Sequence, residues 1–257
     1  MCDLTDARAT EQAIRHVRPD VVIHTQALSD VDCCELNPEE AQRQNVQTTD
    51  HLCRALVDRQ ALLLALSTDY VFDGTKASSY DESDAPNPVN VYGRTKRAGE
   101  QSVLGYPRGC VVRTSTLFGP GRANFCDTIV RRARGGEPIE AFVDQTTSPT
   151  YTEDFAEGMQ ELLAVMANRS LKGLPRIYHL ANAGACRRIE FATRVVELLG
   201  CPRALVKPIR MEDQGRPAKR PAYSALKSHA LEPDIGRTLR AWDEALHAYL
   251  RQSHWTN

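Results

Sequence analysis

Tyr92 and Lys96 stand four residues apart in "NVYGRTK" (90–96), a spacing that puts both side chains on one face of a helix. A tyrosine near pKa ~10 exchanges protons poorly at neutral pH, and a neighbouring ammonium favours its phenolate. The pair therefore suits proton delivery to or from a carbonyl or alkoxide oxygen. The spacing also arises by chance, so it gains weight only from its surroundings. Upstream, "ALLLALSTDYVFDG" (61–74) ends an apolar run in Ser67 and Thr68. If the run is a buried strand, those hydroxyls lie at its carboxyl end, where open α/β sheets bind ligands. A hydroxyl there can hydrogen-bond the same oxygen that Tyr92 would protonate.

The elements that must position these groups alternate between short apolar runs and longer amphipathic stretches, the pattern of a parallel sheet covered by helices. Strands are expected at 20–25, 61–68, 109–119 and 177–181. Helices are expected at 6–17, 39–59, 124–134, 153–167, 188–199 and 239–252, with one more beginning near Val91. Two prolines make 84–90 a loop that delivers the chain into that helix. The stretch 202–221 reads as polar and proline-rich, and no element is assigned to it. The acidic run at 35–40 reads as a solvated face. The fold class is α/β: a parallel sheet covered by helices, with a smaller attached C-terminal lobe. Residues 1–115 and 151–182 are assigned to the first, and 116–150 and 183–257 to the second.

With 257 residues, 42% hydrophobic and 25% charged, the composition is that of an ordinary globular protein. A formal charge of −1 gives no case for nucleic acid or an anionic membrane as partner. No apolar run approaches the ~20 residues of a membrane span. The eight cysteines form no C-x-x-C and the histidines do not cluster at ligand spacing, so reduced thiols, a cytoplasmic setting and no metal site are expected.

"STDYVFDG" (67–74), "SYDESDAPNPVNVYGRTKRAGE" (79–100), "RTS" (113–115), "NF" (124–125), "DQTTSPTYTEDFA" (144–156) and "KRPAYS" (219–224) occur in that order. Together they resemble the extended short-chain dehydrogenase/reductases, and among them the dTDP-4-dehydrorhamnose reductase family, which implies a Rossmann-like doubly wound parallel sheet, N-terminally truncated, with a smaller C-terminal substrate-binding lobe. The resemblance implies NADPH- or NADH-dependent reduction of a 4-keto group on a nucleotide-linked deoxysugar. It implies that Thr68 binds the substrate carbonyl, Tyr92 donates the proton, and Lys96 tunes Tyr92 and holds the cofactor ribose. "MCDLTD" resembles the stretch that touches the adenine, making Asp3 and Leu4 cofactor residues, with Gln26, Ala27 and Leu28 in "HTQALSD" (24–30). Ser29, Tyr70, Thr116, Asn124 and Arg220 are implied at the sugar nucleotide, Arg220 toward its diphosphate. The implied partner is the nucleotide sugar, and a homodimer stays open. Related dehydratases carry an acidic pair after the threonine; here Asp69 is followed by Tyr70, which argues for a reductase.

The sequence departs from the family in three places. No G-x-G-x-x-G lies upstream of Tyr92, where backbone amides would hold the pyrophosphate. That predicts a truncated reading of a longer gene, or else a short form that pairs with another chain. Gln26 stands where small residues are usual, and Thr116 where a tryptophan usually meets the sugar. The alternative from another class is a non-catalytic subunit, since the methionine adenosyltransferase β subunit resembles the same pattern.

Overall fold

A computed structural model describes residues 2–121, 123–168 and 173–252. The chain opens with α1 (Ala7–Val17), whose Asp6 cap accepts from the Arg8 and Ala9 amides, and turns into β1 (Val21–His24). Next come α2 (Val31–Leu36), α3 (Pro38–Gln42), a π-helical turn (Arg43–Gln47) and α4 (Thr48–Leu56). β2 (Leu62–Thr68) is separated by a loop from α5 (Val91–Gly105), after which β3 (Gly109–Thr114) and β4 (Leu117–Phe118) follow. Then α6 (Phe125–Arg134), β5 (Ile139–Phe142), β6 (Thr146–Thr147), β7 (Thr150–Tyr151), α7 (Thr152–Asn168) and β8 (Ile177–His179). The remainder holds β9 (Cys186–Arg187), α8 (Arg188–Leu198), β10 (Val206–Ile209), α9 (Leu231–Ile235) and α10 (Trp242–Gln252).

The main sheet has the order β1-β2-β3-β8, all parallel. Alternate residues of β2 and β3 feed opposite faces. Leu63, Ala65 and Val111 pack with Leu56, Val103 and Tyr106 from the α4–α5 side. Leu62, Leu64, Cys110 and Val112 pack with Phe155, Met159 and Leu162 of α7. Burial on both faces explains why β2 reads as a continuous apolar run rather than an alternating one. The fold is the expected α/β arrangement. β1 lies at the end of the sheet with Val21 and Ile23 exposed. A separate core gathers Phe118, Ile129, Tyr151, Phe191, Val195, Leu246 and Tyr249 from β4, α6, β7, α8 and α10.

Three local expectations change. The helix expected at 39–59 is interrupted by the π-helical turn, because Asn45 there is drawn toward the loop after β1. The stretch 202–221 contains β10, which pairs in parallel with β5, a strand the sequence pattern did not expose. The acidic run is not wholly solvated: Glu35 ends in α2 and accepts the Val91 amide at 2.8 Å, fixing the start of α5.

Candidate active site

β2 ends at Thr68, and the chain turns sharply through Asp69–Val71, with the Tyr70 amide donating to Thr68 Oγ1 at 3.2 Å. Thr68 Oγ1 in turn donates to Asp69 Oδ1 at 3.0 Å. The buried Asp69 also accepts from Ser115 Oγ at 2.8 Å and Ser224 Oγ at 2.6 Å. Burial pushes its carboxyl above the usual range, and the three hydroxyls partly offset that. Strand alternation sends Ser67 the other way, to donate to Glu100 Oε1 at 2.6 Å. Of the two hydroxyls only Thr68 therefore faces Tyr70 and Tyr92.

α5 begins at a cap in which Asn90 Oδ1 accepts the Gly93 amide at 2.8 Å. Gly93 has to be glycine: a Cβ there would sit 2.1 Å from the Tyr70 carbonyl oxygen. This close approach brings the Tyr92 ring edge-on to Tyr70, with centroids 6.0 Å apart. Burial pushes the Tyr92 phenol above its ordinary pKa, and the Thr68 side chain offsets part of the rise. One turn on, Lys96 Nζ donates to the Leu66 carbonyl at 2.7 Å. Burial lowers Lys96 to about 8, with Glu100 opposing the change. Burial, not the ammonium, thus dominates the phenol, which keeps its proton at neutral pH.

The loop after β1 holds Gln26, Ala27 and Leu28. Asn45 of the π-helical turn clamps it, accepting the Leu28 amide at 2.8 Å and donating to the Leu28 carbonyl at 3.1 Å and to Thr95 Oγ1 at 3.0 Å. Gln26 Nε2 donates to Gln44 at 2.7 Å, while Gln26 Oε1 is buried with no partner among the described residues. Asp3 forms a turn with Thr5, and the Leu4 carbonyl meets His51 Nδ1 of α4 at 2.9 Å. The fit to a nicotinamide cofactor rests on two observations. Lys96 uses one of its three donors, and Gln26 Oε1 is an unspent acceptor. Both suit ribose hydroxyls and an amide.

Tyr70 also borders a cavity of about 270 Å³ lined with it by Phe125, Gln145, Arg188, Arg216 and Arg220. Gln145 Nε2 donates to the Tyr70 hydroxyl at 3.1 Å. Arg220 reaches this cavity but is already paired with both oxygens of Asp32, at 2.5 and 2.7 Å, which holds that carboxyl below its usual range. Ser29 is exposed just before α2. Thr116 adopts a positive φ of 40° between β3 and β4, and Asn124 caps α6 through the Asp127 amide. Neither lines this cavity; Phe125, beside Asn124, does. The structure thus gathers Thr68, Tyr70, Tyr92 and Lys96 at one sheet edge. Sequence reasoning used Asp69 only to tell a reductase from a dehydratase, and passed over Gln145 and Arg188. Asp69 was visible as the middle of "STDYV", whereas no pattern marked Arg188. Among the described residues no group of three His, Cys, Asp or Glu side chains could hold a metal, and no helix is long and apolar enough to cross a membrane.

The RmlD substrate binding domain family matches residues 1–254. The spore coat polysaccharide biosynthesis protein SpsK of Bacillus subtilis is 34% identical over 253 residues, covering 98% of this chain and 86% of that protein. The dTDP-4-dehydrorhamnose reductase of Mycobacterium tuberculosis is 38% identical over 250 residues, covering 95% of this chain and 80% of that protein. Among solved structures, a Bacillus anthracis dTDP-4-dehydrorhamnose reductase in complex with NADP superposes with a TM-score of 0.90 at 31% identity, covering 98% of this chain and 87% of that one.

Proposed function

Because this chain belongs to the RmlD substrate-binding domain family, we propose that it reduces the 4-keto group of a nucleotide-linked deoxysugar with NADPH or NADH. The observation that carries the reading is the convergence of Thr68, Tyr70, Tyr92 and Lys96 where β2 meets the start of α5. On this reading residues 1–115 and 151–182 hold the cofactor, through Asp3, Leu4, Gln26, Ala27, Leu28 and Lys96. Residues 116–150 and 183–257 complete the sugar-nucleotide site, to which Ser29, Tyr70, Thr116, Asn124 and Arg220 contribute.

A bound nicotinamide supplies the hydride. Tyr92 gives its phenolic proton to the substrate oxygen, and its raised pKa keeps that proton available at neutral pH. The Lys96 ammonium favours the phenolate left behind. Thr68 can rotate its hydroxyl from Asp69 toward the same oxygen, since Asp69 retains Ser115 and Ser224. Together these donors stabilise the developing alkoxide.

Replacing Tyr92 by Phe removes the phenolic hydroxyl that carries the transferable proton and keeps the ring. The expected result is a fall in kcat of about 10²–10⁴-fold with cofactor and nucleotide binding retained. Turnover by Tyr92→Phe close to wild type would overturn the assignment. A wild-type chain that binds nicotinamide and nucleotide sugar without turnover would instead favour a non-catalytic subunit.

A further inference from the structure

Arg188 is the first residue of α8 and is fixed by its backbone, whose amide donates to the Gln145 carbonyl at 2.9 Å. Its guanidinium lies over the Phe125 ring, 4.6 Å from the centroid, so the ring face holds the fork in place. Nε makes one long contact to Gln145 Oε1 at 3.4 Å. Nη1 is buried and has no hydrogen-bond partner among the described residues. No carboxylate among those residues pairs with Arg188: Asp69 is near enough to be felt electrostatically, but its oxygens are committed to Thr68, Ser115 and Ser224. A buried donor left unmade is unfavourable, and a buried charge without a partner more so. Such a group calls for an acceptor from outside the chain.

The cavity supplies the place. Arg188 borders the 270 Å³ space together with Tyr70, Phe125, Gln145 and two further arginines, Arg216 and Arg220, against a single carboxylate, Glu140. Arg220 is neutralised by Asp32, and Arg216 is exposed, its Nε donating to the uncharged Gln214 side chain at 2.7 Å, with no carboxylate paired to it among the described residues. The positive charge in the wall that has no carboxylate in direct contact among the described residues therefore sits on Arg188 and Arg216. Gln145 joins Arg188 to the Tyr70 hydroxyl, and Tyr70 leans on Tyr92.

We propose that Arg188 is an oxyanion-recognition residue of this cavity, placing a phosphate or carboxylate oxygen of the substrate against Nη1 beside Tyr70. The inference rests on the reading of Tyr92 and its neighbours as the reacting site, and it goes further by requiring an anionic group there. A guanidinium held by a ring and a glutamine presents a fixed fork, which suits the paired oxygens of either group. Two sources fit that chemistry: the diphosphate of the nucleotide, or a carboxylate borne by the sugar.

Calorimetric titration of the full chain and of Arg188→Met and Arg188→Lys separates them, using thymidine, dTDP, UDP-glucose and UDP-glucuronic acid. If phosphate is the group, Arg188→Met weakens dTDP and both sugar nucleotides about tenfold or more and leaves thymidine unchanged. If it is a sugar carboxylate, only UDP-glucuronic acid weakens by that factor. In either case Arg188→Lys recovers part of the loss, and the thermal midpoints of the variants show that they fold. Affinities within about twofold of wild type for all four compounds, equal loss for thymidine, or a wild-type chain that binds none of them overturns the inference. Binding needs no turnover, so the reductase reading is judged separately by NAD(P)H oxidation.

Discussion

Arg113 and Arg188 are both drawn in from the surface, one beneath the sheet edge and the other in the wall of the cavity, and their surroundings differ. Arg113 is 1% exposed, and its Nε and Nη2 each meet a Glu100 oxygen at 2.8 Å. Glu100 also accepts from Ser67 and Arg97, and Phe72 and His179 close the remaining faces of the guanidinium. Arg188 has one long hydrogen bond, one aromatic ring and an idle donor. A buried charge paired with its own carboxylate, every nitrogen meeting a partner, holds the scaffold, here the strand that carries Thr68. A charge with a donor to spare is arranged for something that comes and goes.

The comparison breaks most visibly at Glu100. Glu100→Gln leaves Arg113 without its anion, and such losses destabilise by about 3–5 kcal/mol. Urea unfolding measures this, and a change under about 1 kcal/mol would mean that Arg113 is not a scaffold charge. Acid should act on the same region. Burial lowers both His24 and His179 to about 4, so between that value and 6.5 the unfolded chain binds more protons than the folded one. Stability is then complete above pH 6.5 and falls as pH drops toward 4. The loss is on the order of 3 kcal/mol per histidine at most, since a tenfold change in proton affinity is worth about 1.4 kcal/mol. Denaturant midpoints taken across that window check it, and a flat profile would contradict the burial of both rings. The smallest effect is expected at Arg188→Met, which removes a poorly compensated charge and should leave unfolding stability within about 1 kcal/mol of wild type. A larger loss would make Arg188 a second Arg113.

Much of the scaffold was legible because its signals are local. The run "ALLLALST" could only be a strand buried on both faces, and Tyr92 with Lys96 carried its chemistry in a four-residue spacing. β5 and β10 were not legible: each is four residues long, and Pro208 and the exposed Lys207 hide a strand that exists only by pairing with its partner. The short α2 was equally silent, since Glu35 reads as part of a solvated acidic run and nothing marks Asp32 until the Val91 amide and Arg220 are brought to them across the fold. Arg188 was missed for the same reason. In "ACRRIE" it is one arginine of two, and only the fold separates Arg187, paired outward with Glu190, from its inward neighbour.

The π-helical turn at Arg43–Gln47 has a consequence for how this chain can change length. A π turn closes its hydrogen bonds over one residue more than an α turn does. Deleting any one residue there would restore even winding from α3 into α4, and the helix itself would tolerate it. Asn45, however, would rotate away from Leu28 and Thr95, releasing the loop that carries Gln26. The surplus residue is therefore a register pin: drift in chain length that a plain helix absorbs silently is converted here into a displacement at the crevice between β1 and α5.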